Sequence, residues 1–295
     1  MSHRPTRREI LASGISAALA PRAFSAEIAD FSGARDIDAL QKRAGGRIGF
    51  SARLHGEKRV LAFQPNQLFP MCSTHKFISV AALLALVDSG QRDLRQFIRY
   101  AEKDIQTYAP VAKRHLHEGG MYLSAICAAA IQQSDNSAAN LILRELGGPA
   151  GWTQFARQIH DPVSRLDRYE PALNAAEAGD DRDSTSPNAM RRNIEKILTG
   201  HILSRASRQH LTHWMRNAPL TSSLIQSGLG RKADVYDKSG AGAHGTRGDI
   251  GLVSLPDGTM MSVAIYLTRT TLHRQAQDRL IAEITRRIVR KFSPT

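Results

Sequence analysis

The chain has 295 residues, of which 42% are hydrophobic and 23% are charged, and its formal net charge is +13. This length suffices for one large domain or two lobes with a sizeable core, and the composition is ordinary for a folded globular protein. No low-complexity tract or internal repeat is present, and after the N-terminus no apolar run is long enough to cross a bilayer.

The N-terminal segment has the pattern of an export signal. The Arg7-Arg8 pair precedes a short apolar run from Ile10 to Ala20, which is followed by small residues suited to a cleavage site. This pattern predicts a signal peptide over residues 1–26, of the twin-arginine type, and a periplasmic or secreted protein. An ordinary amphipathic N-terminal helix is the alternative. We expect no stable membrane association once the signal is removed.

The rest of the chain stays basic, because the signal carries only four arginines and one glutamate, which leaves a net charge near +10. The Lys and Arg residues are scattered as single or paired charges without aromatic residues between them. This distribution favours a solvated basic surface over a nucleic-acid-binding face, so no nucleic acid partner is expected. A positive field would also attract anionic carboxylate substrates.

The predicted elements place mixed α/β structure at both ends of the chain and helices in the middle. Apolar periodicity predicts helices over 34–44, 73–88, 123–133, 136–146 and 274–291, within a helical region that continues to about residue 217. Alternating or apolar runs predict strands over 47–54, 60–64, 234–238, 249–255 and 260–268. We expect an α/β lobe from residues 27–64 and 219–295, an all-helical lobe from residues 65–218, and a ligand cleft between them.

Residues 161–187 interrupt the helical region. This segment is rich in Asp, Arg, Pro and Gly, which predicts a long ordered loop rather than a linker. Loops of this length usually carry function. Within it, the stretch from Arg165 to Asn174 contains the carboxylate of Glu170.

The first chemical motif is Ser73-Thr74-His75-Lys76. Residues three apart share one helix face, so the Lys76 ammonium can approach the Ser73 hydroxyl, and the helix N-terminus favours negative charge near it. A serine becomes a nucleophile when a neighbour accepts its proton. His75 is interpreted as a spacer. Alone, the motif indicates little more than a helix N-cap and a surface lysine.

Two further motifs lie downstream in the chain. In Ser134-Asp135-Asn136, the hydroxyl can pass a proton to a leaving nitrogen and the Asn136 amide can hold a substrate carbonyl, while the aspartate caps the next helix. In Lys238-Ser239-Gly240, the lysine offers a cation for a substrate carboxylate and the glycine allows close approach of the backbone.

The three motifs and the stretch from Arg165 to Asn174, in this order, resemble the class A serine β-lactamases. The S-x-x-K, S-D-N and K-T-G set is described for that family and for penicillin-binding proteins. The similarity extends from about residue 30 to residue 292. It implies an α/β (α+β) fold of two lobes, with an antiparallel five-stranded sheet flanked by helices. It also implies hydrolysis of penicillins and cephalosporins through a serine acyl-enzyme, conferring β-lactam resistance.

The resemblance also implies the catalytic roles. Ser73 matches the acylated nucleophile, and Lys76 and Glu170 match two acylation bases whose shares remain open. Glu170 also matches the base that activates the deacylating water, with Asn174 as the second ligand of that water. Ser134 matches the proton shuttle.

Other positions carry binding and structural roles in the same comparison. The matching residues are Tyr108 as the aromatic wall, Asn136 as a side-chain contact, Lys238, Ser239 and Arg247 as the carboxylate-binding set, the N–H groups of Ser73 and Ala241 as the oxyanion hole, Arg168 and Asp183 as the ion pair that closes the loop, and Glu170-Pro171 as a cis peptide.

Three positions depart from the family pattern. The third motif reads Lys-Ser-Gly, which keeps the hydroxyl, and Tyr169 replaces a tryptophan. Cys72 stands where some carbapenem-hydrolysing members have a disulfide partner, but Gly242 occupies the matching second position. That carbapenemase signature is therefore absent, and we expect Cys72 and Cys127 to be buried thiols.

Other classes of protein share some of these features. A penicillin-binding D,D-peptidase would also be acylated, but would not turn over, and Glu170 with Asn174 favours the hydrolase. The only close H-x-H histidine pair, His115 and His117, lacks a Cys or Asp cluster at ligand spacing, so no metal or organic cofactor is expected. We expect a monomer whose partners are small-molecule β-lactams.

Overall fold

The structure is a computed structural model that describes residues 28–30, 35–230 and 233–292. The predicted export signal lies outside these residues. Among the residues described, no helix combines the length and the apolar composition needed to span a bilayer.

The helices and strands follow one another along the chain. The helices are α1 Arg35–Ala44, α2 His75–Asp88, α3 Leu123–Gln132, α4 Asn136–Glu145, α5 Gly148–Gln158, α6 Pro187–Leu198, α7 Arg205–Arg216, α8 Ile225–Leu229 and α9 Arg274–Phe292. The strands are β1 Ile28–Asp30, β2 Arg47–Leu54, β3 Val60–Phe63, β4 Phe69–Pro70, β5 Phe97–Arg99, β6 Gly120–Tyr122, β7 Ser184–Thr185, β8 Asp234–Gly242, β9 Thr246–Ser254 and β10 Met260–Thr268. Short 3₁₀ turns include Cys72–Thr74 and Ala172–Asn174.

The main sheet has the strand order β1-β3-β2-β10-β9-β8. Five of these strands are antiparallel, and the three-residue β1 adds to β3 in parallel. The predicted α/β fold with a five-stranded antiparallel sheet is therefore confirmed, with one short extra strand. Strand β8, which carries the Lys-Ser-Gly motif, forms one edge of this sheet.

Helices cover both faces of the sheet, because side chains on its strands alternate between two buried clusters. On β10, Val263 and Ile265 pack in one cluster with α1, α8 and α9. Ala264 and Tyr266 pack in the other cluster with α2 and α6. Helix α6 comes from the middle of the chain and contacts β2, β9 and β10.

Helix α2 runs through the middle of the second cluster. Every residue from His75 to Leu84 is buried, so the helix needs apolar partners on all sides. Helices α3, α4, α5 and α7 supply them. This packing fixes the N-terminal end of α2, and with it the position of Ser73.

The segment between α2 and α3 differs from the sequence prediction. The helical periodicity was expected to continue through it, but residues 97–99 and 120–122 pair as the strands β5 and β6. Phe97 and Tyr122 meet edge to face across this pair, with ring centroids 5.5 Å apart. Three residues on each side are too few to show an alternating pattern, so the pairing depends on contacts distant in sequence.

A polar network joins α6 to the sheet. The Glu195 carboxylate accepts hydrogen bonds from Arg53 Nε at 2.8 Å, Arg191 Nη1 at 2.5 Å and Ser262 Oγ at 2.6 Å. Arg191 is nearly fully buried. The carboxylate therefore compensates a guanidinium that water does not reach.

We predict that Glu195→Ala lowers the free energy of unfolding by about 3 kcal/mol, because it leaves the buried Arg191 charge unpaired. Thermal and urea denaturation measure this loss. Asp234→Ala, which removes the exposed partner of Arg216, is the matched control and should leave the Tm unchanged. Equal Tm values for wild type and Glu195→Ala would contradict the prediction.

Candidate active site

Ser73 lies in the 3₁₀ turn immediately before α2. Cys72 adopts a φ of 45°, in the left-handed region, and the buried Thr74 hydroxyl donates to Met71 O at 2.7 Å. Strand β8 runs close to this turn: a Cβ on Gly240 would lie 2.7 Å from Met71 O. The glycine of the third motif is therefore required for the edge strand to approach Ser73.

Lys76 projects from the first turn of α2 into the centre of the site and is fully buried. Its Nζ lies 2.8 Å from Ser73 Oγ, 2.7 Å from Asn136 Oδ1 and 3.0 Å from Ser134 O. It also lies 2.8 Å from Glu170 Oε1 and 3.4 Å from Ser134 Oγ. One ammonium thus contacts the serine, the second motif and the loop carboxylate.

Ser134 is placed between two lysines. Its φ is 54°, and Lys238 Nζ lies 3.2 Å from its hydroxyl and 2.8 Å from Ser239 O. Burial lowers the pKa of Lys238 to about 7, and the positive charge of Lys76 adds to this effect. The hydroxyls and amines of Ser73, Lys76, Ser134 and Lys238 therefore form a continuous row of proton donors and acceptors.

Asp135, the middle residue of the second motif, holds the neighbouring segment. Its carboxylate caps α4 by accepting from Ala138 N at 2.9 Å. The other oxygen accepts from the backbone N–H groups of Val111 and Ala112, both at 2.9 Å. This connection fixes the segment that carries Tyr108, whose side chain is exposed at the cleft.

Glu170 is fixed at both its backbone and its side chain. The Asn140 side chain exchanges two hydrogen bonds of 2.9 Å with the Glu170 backbone, and the bond to Pro171 is cis. The carboxylate accepts from Asn174 Nδ2 at 2.5 Å in addition to Lys76. Burial alone would raise the pKa of Glu170, but the charge of Lys76 and the His75 hydrogen bond hold it below its usual range.

The loop that carries Glu170 is closed by Asp183. This buried carboxylate lies 2.5 Å from Arg168 Nε, and it accepts from the backbone N–H groups of Asp167 at 2.7 Å and Arg168 at 3.0 Å. At its other end the loop bonds to the turn between β8 and β9, because Ala243 N donates to Asn174 O at 3.0 Å. Both ends of the Glu170 segment are thus tied to the core.

A cavity of about 480 Å³ opens above this arrangement. The residues that line it and were predicted from sequence are Ser73, Tyr108, Ser134, Asn136, Asn174, Ser239, Ala241 and Arg247. The more deeply buried Lys76, Glu170 and Lys238 lie behind this lining. The structure thus brings the predicted catalytic and binding residues to one cleft, and the Arg168–Asp183 pair lies behind it in the loop.

A family model described as the beta-lactamase enzyme family matches residues 33–292. The chain belongs to this family. The solved class A β-lactamase of the last common ancestor of Gram-negative bacteria is 42% identical, with a TM-score of 0.86, over 88% of this chain and 98% of that chain. PenP from Rhodopseudomonas palustris is 38% identical, with a TM-score of 0.85, over 87% of this chain and 98% of that chain. The resemblance to class A serine β-lactamases is confirmed.

Several residues in the site of this β-lactamase were missed from the sequence. Arg247 Nε is paired with Asp278 at 2.8 Å, and Arg274 adds a second guanidinium to the cleft lining. Asp278 and Arg274, which were not predicted, lie in the first turns of α9, far from any motif. Leu220 also lines the cleft. The only signal available was the polar start of a C-terminal helix, which does not indicate its position relative to β9.

The cysteines of this β-lactamase are free and buried, as expected. A Cβ on Gly242 would lie 2.5 Å from Cys72 Sγ, so the two positions face each other. Burial and the charge of Glu170 raise the pKa of the Cys72 thiol to about 12. Among the residues that the structure describes, no group of three His, Cys, Asp or Glu side chains is placed to hold a metal ion.

We predict that kcat/KM falls as the pH rises above about 7, approaching tenfold per pH unit, because the free enzyme loses the Lys238 cation. The buried carboxyls of Asp237 and Asp249 only partly oppose the loss. If Lys238 binds the substrate carboxylate, as the resemblance implies, the bound substrate restores the charge, so kcat should change less than KM. Lys238→Arg keeps the charge and should move the alkaline limb to higher pH. If the alkaline limb lies at the same pH in the wild type and in Lys238→Arg, Lys238 is not the group whose loss of charge lowers kcat/KM.

Proposed function

We propose that this chain hydrolyses the amide of penicillins and cephalosporins through an ester on Ser73. The supporting observation is the position of one buried ammonium: Lys76 Nζ lies 2.8 Å from both Ser73 Oγ and Glu170 Oε1. A nucleophile and a carboxylate that share one ammonium are close enough for a single water to reach both. Hydrolysis of this kind would confer β-lactam resistance.

The binding residues hold the substrate at both ends. The hydroxyl of Ser239 and the cations of Lys238 and Arg247 bind the substrate carboxylate. Asn136 contacts the side-chain amide, and Tyr108 forms the wall of the cleft. The N–H groups of Ser73 and Ala241 receive the carbonyl oxygen as it becomes an oxyanion.

Acylation forms the bond from Ser73 Oγ to the carbonyl carbon and breaks the bond from that carbon to the ring nitrogen. In one route Lys76 first gives a proton to Glu170 Oε1, and the resulting neutral amine takes the Ser73 proton; in the other the Ser73 proton passes through a water to Glu170 while Lys76 stays charged. Ser134 then gives a proton to the leaving nitrogen, and Lys76 or Lys238 replaces it.

Deacylation requires a water that Glu170 can deprotonate. Asn174 presents Nδ2 to the carboxylate and keeps a buried Oδ1 without a protein partner, which leaves an acceptor for that water. The water gives a proton to Glu170 as its oxygen attacks the ester carbon; the bond from that carbon to Ser73 Oγ then breaks, and Oγ takes up a proton that returns from Glu170 through Lys76. This step separates a hydrolase from a D,D-peptidase that remains acylated.

The mature protein is proposed to act as an exported monomer. The twin-arginine pattern supports export to the periplasm or the medium, and the scattered basic residues support a surface that does not bind nucleic acid. The proposed lobes comprise residues 27–64 with 219–295, and residues 65–218, with the loop 161–187 in the second.

Glu170→Ala should still acylate but deacylate at least about 10³-fold more slowly, because no base activates the water. Quenched reactions analysed by mass spectrometry should show a penicilloyl adduct on the peptide that contains Ser73. Rapid steady turnover by this variant would remove Glu170 from the mechanism.

Ser73→Ala is the companion experiment. Nitrocefin hydrolysis and adduct formation should both be lost, because no hydroxyl remains to form the ester. Its folding serves as the control, since Ser73 belongs to neither of the two buried hydrophobic clusters. Turnover near the wild-type rate by this variant would refute the serine mechanism.

A further inference from the structure

The imidazole of His75 contacts the carboxylate that the proposed reaction requires. The sequence suggested only a spacer, but the ring is fully buried and its Nε2 lies 3.3 Å from Glu170 Oε1. On the other side of the ring, Nδ1 lies 3.0 Å from Ser79 Oγ. A spacer residue would not need polar partners at both ring nitrogens.

Lys76 cannot serve all of its neighbours at once. An ammonium has three N–H donors, whereas five acceptor atoms from Ser73, Ser134, Asn136 and Glu170 lie within 3.4 Å of Nζ. When its protons point to Ser73 and the second motif, Glu170 Oε1 loses that donor. The same oxygen then depends on His75.

The proton on the imidazole can be placed from its surroundings. The facing charges are Glu170, Lys76 and Lys238, and burial outweighs the carboxylate and lowers the pKa of His75, so the ring is neutral. An unprotonated Nε2 would set a lone pair against the Glu170 carboxylate. The proton therefore lies on Nε2, and Nδ1 accepts.

Ser79 and Trp152 stabilise this tautomer. The Ser79 hydroxyl has one proton and two acceptors in reach, Nδ1 of His75 and the His75 carbonyl oxygen at 3.1 Å. Trp152 Nε1 already donates to that carbonyl at 3.2 Å. The Ser79 proton is thus free to point at Nδ1, which leaves Nε2–H to donate to the carboxylate.

We propose that His75 is a positioning residue for Glu170: its Nε2–H holds Oε1 in place and favours the ionised carboxylate while Lys76 serves Ser73 and Ser134. The inference depends on the proposed role of Glu170 in deacylation. In this role His75 donates a hydrogen bond from within the S-x-x-K motif, and its imidazole transfers no proton.

His75→Phe keeps a ring of similar volume and removes the donor. The deacylation rate constant should fall about tenfold, because a hydrogen bond to the carboxylate is lost. For the same reason the acid limb of the pH profile of kcat should move to higher pH by about one unit. KM should fall with kcat, since the acylation rate constant is little affected. Acid-quench mass spectrometry should show more acyl-enzyme at steady state than in wild type.

His75→Gln and His75→Asn separate positioning from packing. The Gln amide nitrogen can occupy the place of Nε2 and should restore most of the deacylation rate and the acid limb. The shorter Asn reaches only the place of Nδ1 and should behave like Phe. Ser79→Ala, which removes the donor to Nδ1, should give a smaller shift in the same direction and keeps the test available if His75→Phe folds poorly.

Two results would overturn the proposal. One is a wild-type deacylation rate and acid limb in His75→Phe. The other is an equal loss in the Phe and Gln variants with an unmoved acid limb, which would indicate packing alone. The wild-type Ser73 adduct is measured alongside: its absence would refute the proposed function, whereas its presence with either result above would refute only the role of His75.

Discussion

A buried ammonium and a buried carboxylate, Lys76 and Glu170, meet 2.8 Å apart at the centre of this molecule. Removing two charges from water costs several kcal/mol for each ion, and attraction offsets this cost only where geometry and additional hydrogen bonds are good. The pair therefore does not indicate a gain in folding stability. It indicates a site whose two charges are held together by the rest of the fold.

Two separate parts of the chain hold the charges together. Lys76 is fixed by α2, whose residues His75 to Leu84 are all buried, whereas Glu170 lies on a loop that contains no α-helix. Asn140 and Asp183 secure that loop through backbone and side-chain hydrogen bonds. The helical core thus supplies a rigid ammonium, and a network of polar contacts brings the carboxylate to it.

That Ser73, Lys76, Ser134 and Lys238 lie close together was predictable, because each lies in a short motif with its own local chemistry. The α/β fold was also predictable, since β2, β9, β10 and α9 have long, regular patterns. The pair β5–β6 was not, because three-residue strands depend on partners distant in sequence. The contact of His75 with Glu170 was not predictable for the same reason: the two residues are 95 positions apart, and only the folded loop brings them together.

In the proposed reaction, the Ser73 hydroxyl forms an ester, and a water held by Glu170 then cleaves that ester. Rapid acid quenching of the wild-type enzyme with a slow cephalosporin, followed by mass spectrometry of the Ser73 peptide, measures it most directly. We expect an adduct whose formation and decay rate constants reproduce kcat. Turnover without an adduct, or an adduct that persists well beyond the turnover time, would contradict it.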